Sequence, residues 1–257
     1  MIKAVFFDVD GTLLSIGSGM IPESTLSSLR KLKENGIKIV LATGRHANEI
    51  KQMPLKGLTF DGYLSLNGQL CLDEEFHTLF GSPICEKAKE ELFEIYRKKE
   101  VSLILTMEKE QCVNYVSELA DQVMTDIGIS IPEKPDLVPG DIYQITTFYK
   151  DDDDCWFNQN CPTDCRITRW CDGAVDILAK EGGKVSGIKE YIKRMGIDQS
   201  ETMAFGDAEN DVEMLQFAAI GVAMGNGKEE VKAVADYVTA DVDNDGIEKA
   251  LQHFDLI

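Results

Sequence analysis

The chain has 257 residues, 44% of them hydrophobic and 28% charged, so it is long enough to bury one large core or two modest ones. Its formal charge of −19 excludes a general nucleic-acid binder, because phosphate backbones are repelled; a small phosphorylated substrate held by local cations stays open. No apolar run approaches the roughly 20 residues of a membrane span, and "MIKAVFFDVD" meets an acid before a signal-peptide core is complete, so no membrane partner and a cytoplasmic location are expected.

Strand-like and helix-like segments alternate at both ends of the chain. Ile2 to Phe7 reads as a buried strand. In "IPESTLSSLRKLKENG" Leu26, Leu29 and Leu32 recur at helical spacing, with Pro22 near the start and Gly36 as the stop. "IKIVLA" (Ile37 to Ala42) and "DGYLSLNG" read as two further strands, and the order strand, helix, strand implies a right-handed parallel crossover. Toward the C-terminus "KVSGIKEYIKRMG" predicts a helix with Ile188, Ile192 and Met195 inward and Gly196 as its cap. "ETMAFGD" is a strand ending in an acid, "NDVEMLQFA" a helix, "AIGVAM" a strand and "KEEVKAVADYV" a helix. The two ends together predict one doubly wound, Rossmann-like α/β core over residues 1–82 and 181–257.

The middle has a different texture. "ICEKAKEELFEIYRKK" predicts a helix with Ile84, Ala88, Leu92 and Ile95 on one face. Short strands follow in "VSLILT", "CVNYV", "DIYQITTFYK", "CRITRW" and "AVDILA", with helix candidates near Glu118 and Asp151. This is an α+β pattern with an antiparallel sheet. Its edges fall at "GSP" and "EGG", which sets an inserted domain at 83–180 on two glycine-bearing linkers. Seven cysteines are present, and the last four (Cys155, Cys161, Cys165 and Cys171) are spaced by six, four and six with no C-x-x-C pair. Zinc sites ordinarily begin with such a pair, so free thiols in a reducing compartment are expected.

In "KAVFFDVDGTLLS" a strand as apolar as Ala4-Val5-Phe6-Phe7 ends in two aspartates one residue apart. Burying an unpaired carboxylate is costly. Open α/β sheets bind ligands at the carboxyl ends of their strands, and each polar residue out of place falls at such an end: Asp8 and Asp10 after the first strand, Thr43 and Arg45 after "IVLA", Asp207 with Asn210 and Asp211 after "MAF". Lys184 opens the helix that leaves the second linker. Asp8 and Asp207 offer the hard oxygens that Mg²⁺ prefers. Two bare carboxylates about 4 Å apart repel by about 1 kcal/mol even in water, and a divalent cation reverses that sign.

"DVDGTLL" at 8–14, "LATGR" at 41–45, Lys184 and "GDAENDVEML" at 206–215 resemble the four motifs of the haloacid dehalogenase superfamily, most closely its Cof-type sugar-phosphate phosphatases, across essentially the full chain. The resemblance implies Asp8 as nucleophile, forming an aspartyl-phosphate, and Asp10 as general acid and then base. It implies Mg²⁺ held by Asp8, Asp207 and the main-chain carbonyl of Asp10. Thr43 and Lys184 would bind and neutralise the phosphoryl oxygens. Asp211 would complete the metal's outer shell or orient Lys184, with Asn210 and Gly206 shaping that loop. An acid at position 10 favours phosphate-ester hydrolysis over dehalogenation or ion-pump chemistry. Thr43 and Lys184 lie 141 positions apart, which places the cap between the second and third motifs, as in the Cof-type group. "KVSG" departs from the glycine that many relatives carry directly after the lysine, but Lys184 itself is kept.

The expected activity is therefore Mg²⁺-dependent hydrolysis of small phosphate monoesters, sugar phosphates first, with nucleotide or pyridoxal phosphates as alternatives and no obligatory protein partner. Arg45, Asn67, Gly68 and the cap's Arg169 are the candidate substrate contacts, with Asp172 and Trp170 weighed beside Arg169. A phospho-aspartate signalling switch also gathers acids, a Thr and a Lys at strand ends, but such receivers lack a cap and carry their aspartate on a later strand. A related mutase or phosphonate hydrolase is the remaining option. "DVDNDG" (Asp241 to Gly246) begins like a calcium loop, but Gln252 stands where a bidentate Glu is needed, so it reads as a turn. "MGNGKEE" lacks the GKS/T ending of a phosphate loop and reads as a turn and cap; His46, His77 and His253 read as surface or packing residues.

Overall fold

The computed structural model describes residues 1–132, 140–150 and 160–257. The helix candidate at Asp151 and the thiol of Cys155 lie outside the described residues. An eight-stranded sheet runs in the order β13-β12-β11-β1-β2-β3-β4-β5. Its parallel part comprises β1 (Ala4–Phe7), β2 (Lys38–Ala42), β3 (Gly62–Ser65), β11 (Thr202–Gly206), β12 (Ile220–Ala223) and β13 (Tyr237–Val238). The fully buried "AVFF" of β1 sits at the centre, flanked by β11 and β2. From β1 the chain fills the sheet one way through β2 and β3, and later returns to fill it the other way through β11 to β13. That reversal makes β1 the topological switch point, where open α/β sheets place their ligands.

Alternate residues of each strand feed two apolar layers, as a period of two requires. Val5, Phe7, Ile39, Leu41 and Phe205 pack under α1 (Glu23–Glu34) and α8 (Gly246–His253), through Leu26, Leu29, Leu32, Ile247 and Leu251. Ala4, Phe6, Val40 and Ala204 pack under α5 (Lys184–Met195) and α6 (Val212–Phe217), through Ile188, Tyr191, Ile192, Met214 and Leu215. Helices on both faces are the doubly wound arrangement the alternation predicts.

The structure corrects several details. The sheet does not stop at β3: β4 (Leu70–Leu72) and β5 (Thr78–Gly81) add an antiparallel edge that short runs such as "LCL" do not signal. "KEEVKAVADYV" is helical only over α7 (Glu229–Lys232), because Asp236 is drawn into the sheet edge: its backbone N–H donates to Gly221 O at 2.9 Å and its carboxylate accepts from Gly221 N at 2.8 Å. Met195 is 37% exposed rather than inward, and the Tyr191 ring meets Phe6 edge-on at 6.0 Å.

Between β5 and α5 the chain builds a second sheet, antiparallel throughout, in the order β7-β6-β8-β10-β9. Its strands are β6 (Leu103–Thr106), β7 (Gln111–Val113), β8 (Gln144–Phe148), β9 (Cys165–Cys171) and β10 (Ala174–Ala179). One face carries Leu103, Leu105, Ile145, Val175 and Ile177 against α3 (Glu86–Lys98), whose buried residues are Ala88, Leu92 and Tyr96. The other face packs Ile104, Val113 and Phe148 against α4 (Glu118–Asp126), and its remaining surface turns toward the carboxyl ends of the first sheet. A short helix, α2 (Ala47–Ile50), follows β2 and is capped by His46, whose Nδ1 accepts from Asn48 N at 3.3 Å. His46 Nε2 lies 3.1 Å from Glu108 O in the second sheet's β6–β7 turn, so this buried ring links the two sheets.

Gly68 decides where α5 begins. It has φ +80, and a Cβ there would lie 2.7 Å from Gly183 O and 3.2 Å from Lys184 Cα. The missing side chain lets the helix that carries Lys184 approach the β3–β4 turn. Gly68 therefore packs against helix backbone and does not line the cavity as a substrate contact. A Gly68→Ala variant combines an unfavourable φ with overpacking, and we expect it to lose about 1–3 kcal/mol. Urea unfolding measures this, and an unchanged midpoint would show that the turn relaxes freely.

Candidate active site

Parallel register places three strand ends side by side. Phe7 pairs with Phe205 on one flank and Leu41 on the other, so Asp8 leaves its strand level with Gly206 and Ala42, and Asp207 and Thr43 follow one residue further on. Gly11 turns the chain with φ +86, and a Cβ there would sit 2.3 Å from Asp207 Oδ2. The bare glycine lets the first loop close onto the Asp207 carboxylate, which also accepts from Thr12 Oγ1 at 2.9 Å. "MGNGKEE" backs this loop: Asn226 donates to Gly11 O at 2.8 Å and accepts from Val242 N at 2.8 Å. Asn226 and Thr12 were not anticipated as site residues; Asn226 is an uncharged turn residue with no sequence signal of its own, whereas Thr12 lies within the "DVDGTLL" motif.

Lys184 Nζ donates to Asp8 Oδ1 and to Asp211 Oδ1, both at 2.6 Å, and all three side chains are buried. Asp211 Oδ2 accepts from the backbone N–H groups of Asp207 and Ala208 at 3.0 and 3.1 Å. Asp211 thus orients both the lysine and the Asp207 loop. Burial by itself lowers the Lys184 ammonium, but Asp211 and Asp8 more than offset it and the net shift is upward. Asp8 moves up as well: burial dominates, Asp211 adds to it, and Lys184 only partly opposes. An isolated ion pair would lower its acid. Here one cation serves several buried carboxylates, so we take Lys184 as charged and the acids as short of positive charge. Asp207 is raised to about 7, first by burial and then by Asp211, against the Thr12 hydrogen bond.

That shortage is what a metal would correct. Carboxylate oxygens of Asp8, Asp207 and Asp211 lie within 4.8 Å of one another, the one such group of metal-ligating side chains among the described residues. A hard, all-oxygen donor set with unbalanced negative charge fits Mg²⁺ in chemistry. Asp211 lies beside the Asp8 and Asp207 anticipated as side-chain ligands, with its own oxygens on Lys184 and the Asp207 and Ala208 N–H groups.

Asp10 sits at the rim with its carboxylate chelated by Arg45: Nε to Oδ2 at 2.9 Å and Nη2 to Oδ1 at 2.6 Å. Thr43 is buried, and its Oγ1 accepts from Arg45 N at 3.1 Å. Asp8, Asp10, Thr43, Arg45 and Asn210 line one cavity of about 100 Å³. A larger cleft of about 580 Å³ reaches Lys184, Asn67 and Asn210 from the linker side but includes neither Asp8 nor Asp10, so the smaller cavity is the one over the chemistry.

The roof of that cavity comes from the second sheet: Ile104, Gln144, Thr146, Trp170 and Asp176, with Gln111 and residues of and after α4. Asn67 ties roof to floor. Its Oδ1 accepts from Asn210 Nδ2 at 3.2 Å, while its Nδ2 donates to Gln144 Oε1 at 3.0 Å and Asp176 Oδ2 at 2.8 Å. Gln144 Nε2 also donates to Gly44 O at 3.2 Å. Arg169 is not brought to the cavity. On β9 it alternates with Trp170, and its guanidinium lies on the α3 side, 5.4 Å from the Tyr149 ring centre and 3.2 Å from Cys171 O. Asp172 is exposed and pairs with Lys228 at 3.5 Å. Asp176 was overlooked inside "AVDILA", although an acid in an otherwise apolar strand is the same signal that singled out Asp8.

A family model described as haloacid dehalogenase-like hydrolase matches residues 5–251. YkrA of Bacillus subtilis, named as a phosphatase candidate, is 32% identical over 262 residues, spanning 99% of this chain and 98% of its own length. The structure of BT1666 from Bacteroides thetaiotaomicron, reported among phosphatases of the HAD superfamily, superposes with a TM-score of 0.89 at 31% identity, covering 100% of this chain and 96% of that one. That of BT4131, reported as a HAD subclass IIB sugar phosphatase, gives 0.86 at 37% identity, covering 99% of this chain and 100% of that one. With matched motifs, fold and full-length coverage together, the chain belongs to the haloacid dehalogenase-like hydrolase family.

Proposed function

We propose that this phosphoric monoester hydrolase is a Mg²⁺-dependent phosphatase of small phosphate monoesters, with sugar phosphates as the leading class. The observation that carries the reading is the buried Lys184 bridge between Asp8 and Asp211, with Asp207 in reach of the same cation and Asp10 two residues beyond Asp8. The likeness to BT4131 supports the sugar-phosphate class. The division into a core at 1–82 and 181–257 and a cap at 83–180 agrees with the two sheets drawing their strands from those ranges. Among the described residues no helix is long and apolar enough to cross a membrane, and free thiols such as Cys71 and Cys112 suit a reducing cytoplasm. A phospho-aspartate switch is disfavoured because its aspartate needs no roofed cavity.

Asp8 and Asp207, with Asp211 beside them and the Asp10 carbonyl, would hold Mg²⁺, which when bound would supply positive charge to the phosphoryl group. Lys184 fixes Asp8 through Oδ1, which leaves Oδ2 to attack phosphorus. As the Oδ2–P bond forms, the bond from phosphorus to the ester oxygen breaks, and Asp10 gives that oxygen its proton. A water then attacks the aspartyl-phosphate, Asp10 takes its proton, and the Asp8–phosphorus bond breaks to release phosphate. Thr43 Oγ1 already accepts from Arg45 N, so its own hydrogen is available to a phosphoryl oxygen. Asp10 cannot reach a leaving oxygen while Arg45 holds both of its oxygens; phosphoryl oxygens compete for that guanidinium and free it.

We expect Asp8→Asn to abolish Mg²⁺-dependent release from para-nitrophenyl phosphate while the far-ultraviolet circular dichroism stays that of the wild type. Wild-type turnover by that variant would remove the nucleophile assignment. Asp10→Asn should lose more activity on alkyl phosphates than on aryl phosphates, because a poor leaving group depends on protonation; equal losses would count against Asp10 as the acid.

A pH dependence follows from Asp207. Its folded value of about 7 lies above the ordinary 3.8, so without metal the folded state binds more protons than the unfolded one and stability falls as pH rises through that window. Mg²⁺ binds the ionised carboxylates and reverses this. The Tm gain from excess Mg²⁺ over EDTA should therefore be larger at about pH 8 than at about pH 5. A gain independent of pH would place the metal elsewhere.

A further inference from the structure

We propose that Asp176 is a specificity-determining residue that accepts hydrogen bonds from hydroxyl or ammonium groups of the leaving group and turns away esters carrying a second anionic group. This inference rests on the phosphatase reading and names the substrate class within it.

Asp176 is 2% exposed, on the central part of β10, and lines the cavity that also holds Asp8 and Asp10. Its neighbours Val175 and Ile177 point into the apolar layer under α3, so strand alternation aims the acid at the opposite, site-facing side. The carboxylate is held in place rather than loose. Thr146 Oγ1 donates to Oδ1 at 2.7 Å, Asn67 Nδ2 donates to Oδ2 at 2.8 Å, and the Trp170 side chain supplies a further hydrogen bond. An ionised carboxylate has about four acceptor positions. Three donors leave room for one from a ligand.

The charge around it sets the exclusion. Asp8, Asp10, Glu49 and Asp176 all line the cavity, and among the described lining residues Arg45 is the one basic side chain, bound to Asp10 in the free site and drawn to the phosphoryl oxygens in the reaction proposed above. Lys184 pairs with Asp8 and Asp211, and Mg²⁺ would be held among Asp8, Asp207 and Asp211, so neither would balance charge at the far end of the leaving group. A second phosphate or a carboxylate at the far end of the leaving group would meet Asp176 and Glu49 with no cation to balance it, and the partly desolvated setting strengthens that repulsion. Hydroxyl and ammonium groups carry donors instead. The volume of about 100 Å³ further suits a short leaving group.

Matched esters test this: glycerol 3-phosphate and 3-phosphoglycerate differ by a hydroxymethyl against a carboxylate at the far end. Burial holds the Asp176 carboxyl up at about 7, against its hydrogen bonds and with Glu49 adding to the rise, so the assays belong at about pH 8, where the acid is ionised. With Mg²⁺ present, wild-type kcat/KM should favour glycerol 3-phosphate by on the order of 10-fold or more. Asp176→Asn, which keeps the shape and removes the charge, should bring that ratio to within about 3-fold by losing activity on the polyol ester and gaining it on the acid. A wild-type ratio near one, measured without any substitution, overturns the proposal. So does an Asp176→Asn variant that loses the same factor on both esters and on para-nitrophenyl phosphate, since that marks a purely structural acid. Absence of any Mg²⁺-dependent release from para-nitrophenyl phosphate by the wild type would instead overturn the phosphatase reading on which the proposal rests.

Discussion

One buried ammonium shared among carboxylates organises this molecule. Lys184 reaches Asp8 from the start of α5 and Asp211 from the turn before α6, joining residues up to 176 positions apart. Burying a charge is tolerated only when it is paired, and here the pairing is deliberately incomplete. More acids converge than one lysine balances, and both Asp8 and Asp207 respond by shifting upward. A divalent cation would make up that deficit and let a phosphoryl group enter a nest of anions. The sheet supplies the rigidity this needs: β2, β1 and β11 hold the three strand ends in register, and helices on both faces prevent the acids from drifting apart to relieve their repulsion.

The second sheet solves a different problem. Phosphoryl chemistry gains from excluding water, and the second sheet roofs the strand ends, leaving Asp10 part-exposed at the rim. Asn67, Gln144, His46 and Glu108 join roof to floor by hydrogen bonds between neutral side chains or backbone carbonyls. Arg166 of β9 adds a two-point ion pair to Glu213 of α6, and its Nη1 also donates to Gly182 O in the linker. Such contacts are individually weak. Most apolar residues of the two sheets fall in different clusters, and Tyr143 of the inserted segment is the exception that packs into the first sheet's core.

Much of this was legible in the sequence because the chemistry sits on regular elements. Runs such as "AVFF" and "TMAF" are too apolar to be anything but interior strands, so the acids that end them stand out. The antiparallel edge of β4 and β5 was not legible: three- and four-residue strands carry no period, and their pairing is set by the neighbouring β3. Helix α7 was overread because "KEEVKAVADYV" has helical spacing throughout, whereas Asp236 gains more by closing the sheet edge. Propensity lost to tertiary pairing there. Arg169 was a candidate substrate contact, but strand alternation in β9 sets its guanidinium beside Tyr149, on the face away from the cavity. Gly68 was taken for a ligand contact because a turn after a strand suggests one; its role depends on how closely α5 approaches, which only packing reveals.

Asp8 and Asp176 pose the same question at two places in the chain, and the two differ in what a sequence can answer. Asp8 ends its strand, and a strand end in an α/β sheet has a known direction toward ligand. Asp176 lies within β10, and an acid at such a position can face an apolar layer, a neighbouring strand or solvent depending on what packs above it. Among the described residues, the second sheet has α3 on one face and the short α4 on part of the other, and the cavity-lining residues of that second face turn toward the first domain. Once the core is set there, the acid is enclosed by Thr146, Asn67 and Trp170 rather than by hydrocarbon. A charge kept under those conditions is costly for stability, since apolar replacement of buried ionic groups is often neutral or favourable. Its placement in the cavity that holds Asp8 is therefore better accounted for by what enters that cavity than by what holds the roof together.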